Sequence, residues 1–262
     1  GVFTATDVKN ALQARYPDVH VLGDDYLQSI VCVPGRSFDK ALEKIEKILE
    51  WRKEFGVARV VEQCGANLRK QLMEQALYIY GYDFTGHPIV WVRLHLIDYK
   101  NLDVQLELEM HVLLLEAGIA CMPPGRTTFV LVADVSKLGV WDFSPSLMKG
   151  LLQIVMNGYP DRLEGMYAGP VNMAVRMIYK AMSPLMPARL LSKIHLLHDL
   201  KKHLVSEEIV PREYFDQPHP SFVVEDGEGG ERFSVEKMIQ IQKEEGKCLG
   251  FFPSDPPSDP PA

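Results

Sequence analysis

No apolar run in the 262 residues reaches the roughly 18 that a membrane-crossing helix needs, so the chain is not expected to span a bilayer. Basic charge is not in excess. Lys and Arg number 28 against 35 Asp and Glu, a net of −7, and a nucleic-acid partner is therefore not expected. Cysteine is scarce and scattered. Cys32, Cys64, Cys121 and Cys248 form no C-x-x-C pair, which argues against a zinc site or a disulfide framework and for reduced thiols in a cytoplasmic setting. The opening residues, Gly1 to Thr4, have neither the basic stretch nor the apolar core of a secretion signal. A chain that starts without Met is expected to be a processed or excised piece.

Catalytic and phosphate-cradling signatures are missing as well. There is no P-loop, no G-x-G-x-x-G behind a strand, no G-x-S-x-G and no H-E-x-x-H. His195, His198 and His203 form the densest histidine group, but helical or strand spacing does not bring all three to one face. No metal, cofactor or catalytic residue is expected, and the chain does not read as an enzyme. Asp134 ends an apolar strand, a place where α/β proteins often put functional groups; a turn or cap residue is the plainer reading.

What is present is ordinary for a globular protein: 47% hydrophobic and 24% charged residues, in a chain long enough to bury its own core. Residues 1–75 read as a helical element. Thr6 to Tyr16 is a short helix closed by Pro17, and Phe38 to Phe55 is the clearest helix, with Phe38, Leu42, Ile45 and Leu49 at three- and four-residue steps and Gly56 just past its end. From Leu77 the character changes. Tyr78–Tyr82 and Ile89–Leu94 are β-rich and flank the turn Asp83-Phe84-Thr85-Gly86. A helix over Leu102–Gly118 follows, then a strand over Phe129–Asp134 and a helix over Ser144–Met156. A strand over Leu163–Ala168, a helix over Val171–Met182, a strand over Ile194–Leu197 and a helix over Asp199–Leu204 complete the alternation. Such alternation predicts an α/β domain over 76–222 with a largely parallel sheet flanked by helices. Residues 223–262 read as a Gly- and acid-rich linker, a polar helix over Ser234–Glu245 and a disordered Pro-rich tail, for which a protein partner is open.

One helix is too apolar for a protein surface. Between Val171 and Met182 the polar residues Asn172, Arg176 and Lys180 fall four apart in one thin stripe, so most of the circumference needs an apolar neighbour. Deep burial and contact with lipid are the two ways to provide it. Met166, Met173, Met177, Met182 and Met186 crowd the same stretch, and methionine suits a wall that must adapt to a flexible ligand.

Several short motifs then fall in a recognisable order. Phe38-Asp-Lys-Ala-Leu leads to Trp51-Arg-Lys-Glu-Phe-Gly56; Gly81-Tyr-Asp-Phe-Thr-Gly-His-Pro-Ile-Val90 covers the hairpin; Val132-Ala-Asp134 ends the central strand. Tyr159-Pro-Asp-Arg-Leu163 comes next, and then Pro170 to Leu197 with Ser183-Pro184 and Ser192-Lys-Ile194. Over roughly residues 24 to 222 the chain resembles the CRAL-TRIO lipid-binding domain family. It departs from that family in His87 for an Arg, Asp161 for a Glu, and a basic N-terminal segment reduced to Arg36.

The resemblance implies a helical N-terminal element and a sheet that encloses a hydrophobic lipid pocket, closed by the apolar Val171–Met182 helix as a gate. It implies a lipid carrier: one phospholipid, phosphatidylinositol first, exchanged at a membrane the protein touches transiently. Carried over by motif, Arg36 and Lys193 would neutralise the phosphodiester and Asp161 would accept inositol hydroxyls. The pocket and gate residues are Phe129, Leu131, Met173, Met177, Ile178 and Met182. Phe129 and Leu131 stand where choline-lipid-binding members carry hydroxyl groups, so choline-lipid binding is expected to be lost. A carrier of a neutral ligand (a tocopherol, retinoid or sterol) and a non-transferring scaffold recruited to membranes remain as alternatives.

Overall fold

The computed structural model describes residues 3–62, 76–120 and 122–216. The expected linker, polar helix and Pro-rich tail beyond residue 222 lie outside the described residues, as does the domain boundary at 75.

The N-terminal part is a bundle of short helices. Helix α1 (Ala5–Leu12) begins at a capping box, in which Thr4 Oγ1 accepts from Asp7 N and the Asp7 carboxylate accepts from Thr4 N at 2.8 Å. It stops before the expected Tyr16 because Arg15 N and Tyr16 N both turn back onto the Leu12 carbonyl. Helix α2 (Asp24–Val31) is an addition to the expectation; eight residues carry too little periodicity to stand out. Helix α3 (Phe38–Phe55) runs as expected, from the Ser37 cap to Gly56 in the left-handed conformation. Helix α4 (Val57–Glu62) follows at once. The buried stripes of α1, α2 and α3 form one closed core around Val8, Leu12, Leu27, Ile30, Ile45 and Ile48.

The rest is a five-stranded sheet. Strands β1 (Leu77–Tyr82) and β2 (Pro88–Val92) form an antiparallel hairpin; β3 (Phe129–Asp134), β4 (Leu163–Gly169) and β5 (Ile194–Leu196) continue in order, each parallel to its neighbour. Consecutive parallel strands with right-handed crossovers put every crossover helix on the same face. These helices are α5 (Val104–Ala120), α6 (Pro145–Gln153) with a π turn over Ile154–Gly158, and α7 (Met173–Met182). Ser144 and Asn172, expected inside helices, are their N-caps, which accounts for the later starts of α6 and α7. Short helix α8 (Ala188–Leu191) precedes β5.

The opposite face is covered by the segment C-terminal to β5. Helix α9 (Leu200–Ser206), Val210 and helix α10 (Glu213–Asp216) pack Leu200, Leu204, Tyr214 and Phe215 over Tyr78, Ile89, Trp91, Val130 and Val132. Strand alternation separates the two faces cleanly: Phe129, Leu131 and Ala133 look toward the crossover helices, Val130 and Val132 away from them. The hairpin is closed by Asp83, whose carboxylate takes the His87 amide at 2.7 Å and His87 Nδ1 at 3.0 Å. Gly81, with φ +73, leaves room for the Tyr214 ring, which a Cβ there would strike.

Candidate functional site

The crossover face is incompletely sealed. On the central strand, Phe129 (3% exposed) and Ala133 (1%) are buried, but Leu131 between them keeps accessible surface. Met166 on β4 and Leu196 on β5 do the same. Above them Leu108, Leu115 and Ile119 of α5, Met148 and Leu151 of α6, and Ile178 of α7 are also only partly buried. A packed α/β layer normally closes over the middle of its central strand. Here apolar side chains on both sides of the layer remain short of neighbours.

Helix α7 explains the gap by its two faces. Ala174, Val175, Ile178 and Met182 point inward, and Asn172 caps the helix by accepting from Val175 N at 3.0 Å. Met173 (72% exposed) and Met177 (60%) point outward. Of the six residues expected to line pocket and gate, Leu131 and Ile178 face the unsealed layer, and Met182 closes the inner face of α7. Phe129 fills the core beneath, and Met173 and Met177 lie on the outer, exposed face of α7.

A charged corner lies where β4 and β5 begin. Asp161 sits in the turn before β4 with φ +61, a conformation that Asp tolerates better than the longer, more usual Glu. Its carboxylate pairs with Lys44 Nζ, from α3, and with Arg189 Nη1 of α8 at 3.4 Å. Burial would raise its pKa, but the hydrogen bond and charge of Lys44, with Arg189 and Arg36, outweigh that and hold it below the usual carboxylate range. Arg36 is near enough to act on Asp161 while its guanidinium donates to the Ile30 carbonyl at 2.8 Å. Lys193, just ahead of β5, donates Nζ to the carbonyl of Leu163, two residues past Asp161. The three residues carried over by resemblance thus share one corner, and the fold adds Lys44 and Arg189 to them.

A second polar cluster clamps the N-terminal helices to the sheet domain. Arg52 of α3 grips the Glu116 carboxylate of α5 with two bonds, at 2.7 and 3.0 Å, and Tyr159 Oη donates to the same carboxylate at 2.6 Å. Burial, with the negative charge of Glu116, pushes the Tyr159 hydroxyl well above its ordinary pKa, so it stays a donor. Gly158 lets the Trp51 ring approach the turn backbone; a Cβ would collide with it. Beside the clamp, the Arg162 guanidinium lies over the Tyr26 ring, 3.5 Å from its centroid, and donates to the Thr127 carbonyl at 3.0 Å.

Lys44 and Arg52 were not singled out from the sequence, yet a signal for both exists. They stand three and four residues from Ala41 and Ile48, in phase with the buried stripe of α3, where a solvated charge would not belong. Arg189 has no such signal, because only the chain reversal at α8 brings it to Asp161. His195 and His203 surround Tyr167, with ring centroids 4.9 and 6.3 Å away. No group of metal-ligating side chains occurs among the described residues.

The CRAL/TRIO domain family matches residues 72–214. Among curated relatives, the phosphatidylinositol/phosphatidylcholine transfer proteins SFH9 and SFH14 of Arabidopsis thaliana are 26% and 27% identical, over 72% and 69% of this chain and 36% and 34% of their own. Patellin-6 of the same plant is 24% identical over 67% of this chain and 46% of its own. The chain therefore spans about a third of the length of the first of these relatives. Of solved structures, the crystal structure of Sfh5 superimposes with a TM-score of 0.60 at 14% identity, covering 90% of this chain and 85% of that one.

Proposed function

The chain belongs to the CRAL/TRIO domain family, and from that premise we propose that it is a carrier that holds one phospholipid, phosphatidylinositol, and exchanges it at membrane surfaces. The observation that carries this reading is Leu131. An apolar residue midway along the central strand, under a layer of helices, keeps accessible surface where a stability-driven core would be closed. Acyl chains are the apolar material that fits such a floor, at about 0.8 kcal/mol per sequestered methylene. A chain so favourably held leaves most readily where water never meets it whole, which is at a bilayer.

The charged corner supports an anionic headgroup. Lys44, Arg189 and Arg36 act on one carboxylate, and Lys193 donates to the Leu163 carbonyl two residues on, so positive charge is in excess for a phosphodiester to use. A phosphate entering a partly dry site must have its water replaced by fixed donors. Phe129 and Leu131 offer no hydroxyl to a choline headgroup. The second reading, a neutral apolar ligand, is favoured by one fact: Asp161 is already satisfied by Lys44 and Arg189, so the corner is partly self-neutralised.

Mass spectrometry of lipid extracted from purified protein separates the two, with phosphatidylinositol expected. The Arg36→Ala, Lys193→Ala double variant should then lose about tenfold to a hundredfold in transfer of labelled phosphatidylinositol between vesicles. Its circular dichroism should stay unchanged. Undiminished transfer would move the neutral-ligand reading ahead.

A further inference from the structure

The stretch between α7 and β5 is held only at its surface. From Ser183 to Ser192 no side chain is buried, and Leu185 is 55% exposed. Its backbone hydrogen bonds are local: Met186 N donates to Ser183, Leu190 N and Leu191 N to Pro187, and Ser192 N to Ala188. Among the described residues its one ion pair is Arg189 with Asp161, and that arginine side chain is still 59% exposed. Helix α8, four residues long with none of them buried, opens at little cost. A surface segment of this kind is one that another protein can take up in extended form.

Ser192 ends the stretch. It is exposed, continues α8 in a helical conformation with φ −64 and ψ −16, and donates Oγ to the Arg189 carbonyl at 2.9 Å. Arg189 precedes it by three residues, and no other serine or threonine of the chain has an arginine at that spacing. An arginine so placed is what a basic-directed protein kinase reads, because the guanidinium pairs with carboxylates in the peptide groove.

The same spacing puts Ser192 where added charge would matter. Residues three apart on a helix are neighbours, so Ser192 shares its side of α8 with Arg189, the partner of Asp161. The next residue is Lys193, which donates to the Leu163 carbonyl. A neutral serine leaves both cations to the charged corner. A phosphoryl group on it brings about 1.5–2 negative charges and three acceptor oxygens. It would compete with Asp161 for Arg189, draw on Lys193, and repel a lipid phosphodiester from the same corner.

We infer that Ser192 is a phosphorylation site for a kinase that reads Arg189, and that its phosphate switches the charged corner off by taking Arg189 and Lys193. In the reaction Ser192 Oγ forms a bond to the γ-phosphorus of ATP, and the bond from that phosphorus to the bridging oxygen breaks. ADP leaves with the electron pair, and the hydroxyl proton passes to the catalytic carboxylate of the kinase. The switch rests on the anionic-headgroup reading for its purpose; the modification does not.

The test is incubation of the folded protein with magnesium, ATP and calmodulin-dependent protein kinase II, which accepts a single arginine at that spacing. Tandem mass spectrometry should place phosphate on Ser192. The phosphorylated protein should lose about tenfold in transfer of labelled phosphatidylinositol between vesicles, and a phosphatase should restore it. Ser192→Ala should transfer like wild type, with or without the kinase. Phosphorus magnetic resonance gives a reading that needs no lipid. The second pKa of the phosphoserine should fall below its ordinary value of about 6, and return toward it in Lys193→Gln, which keeps the arginine the kinase reads. No phosphate on Ser192, or a phosphoserine that titrates at the ordinary value, would overturn the inference. So would undiminished transfer by the fully phosphorylated wild type. If unmodified wild type transfers no phosphatidylinositol, the carrier reading fails, while the mass spectrum and the phosphorus titration still decide the modification and its hold on the corner.

Discussion

The N-terminal helices and helix α7 draw on the same kind of apolar residue and spend it differently. In α1 to α3 the stripes meet, and Val8, Leu12, Leu27, Ile30, Ile45 and Ile48 are all but inaccessible. In α7 the inner face meets side chains of the sheet that are themselves only partly covered, and the outer face meets solvent. Close packing stabilises the first region and leaves it nothing to bind. The second region keeps apolar surface uncommitted, at a cost in stability. Under the proposed function the contrast separates residues kept for folding from residues kept for the ligand, and it is open to experiment.

The largest effect is expected at the clamp that joins the two regions. Arg52→Ala should cost about 3–5 kcal/mol in urea denaturation, because it leaves the Glu116 carboxylate half-buried without its bidentate partner. A loss under about 1 kcal/mol would mean the N-terminal helices and the sheet domain are held by packing alone.

Next come the two isoleucines that embody the comparison. Ile45→Ala, in the sealed core, should cost about 2–5 kcal/mol. Ile178→Ala, on the inner face of α7, should cost less than about 1.5 kcal/mol, because the side chain is only partly buried, while lipid retention during gel filtration falls. Equal stability losses would make α7 an ordinary core helix and end the distinction.

The smallest effect concerns Asp161. Its folded-state pKa is depressed, so its contribution to stability is present above the ordinary carboxylate pKa and is lost as pH falls through the lowered value. Asp161→Asn keeps a residue that tolerates positive φ. The gap between wild type and this variant should be below about 1 kcal/mol and flat from pH 7 to 5; in thermal melts it should begin to shrink only below about pH 4 and vanish beneath the lowered value. A gap that widened toward low pH would mean that the Lys44 and Arg189 pairs do not stabilise the folded corner.

Much of the fold was legible because its signals are local. The stripe of α3, the Asp83 hairpin turn and the apolar run of β3 each lie within one window of sequence, and the helix from Val171 was readable as odd from composition alone. The misses are also instructive. Helix α2 was too short for its period to show, and the starts of α6 and α7 were misplaced by one and two residues because their caps read as first-turn residues. Arg36, Asp161 and Lys193 came from resemblance, and periodicity could not have supplied them.

The sequence by itself determined the order of elements, the alternation that makes a parallel sheet, and the presence of a helix with more apolar surface than one buried face can use. Only the tertiary structure decided which side of that helix turns inward, that Leu131 stays accessible while Phe129 does not, and that Lys44, Arg189 and Asp161 meet. It also decided that Trp141 stands at the tip of a closed turn beside the start of α7. The physical reason is range. Periodicity, caps and turns act over a few residues and are written in them, whereas exposure and charge pairing depend on which distant segment arrives beside a residue, and nothing short of the folded chain specifies that.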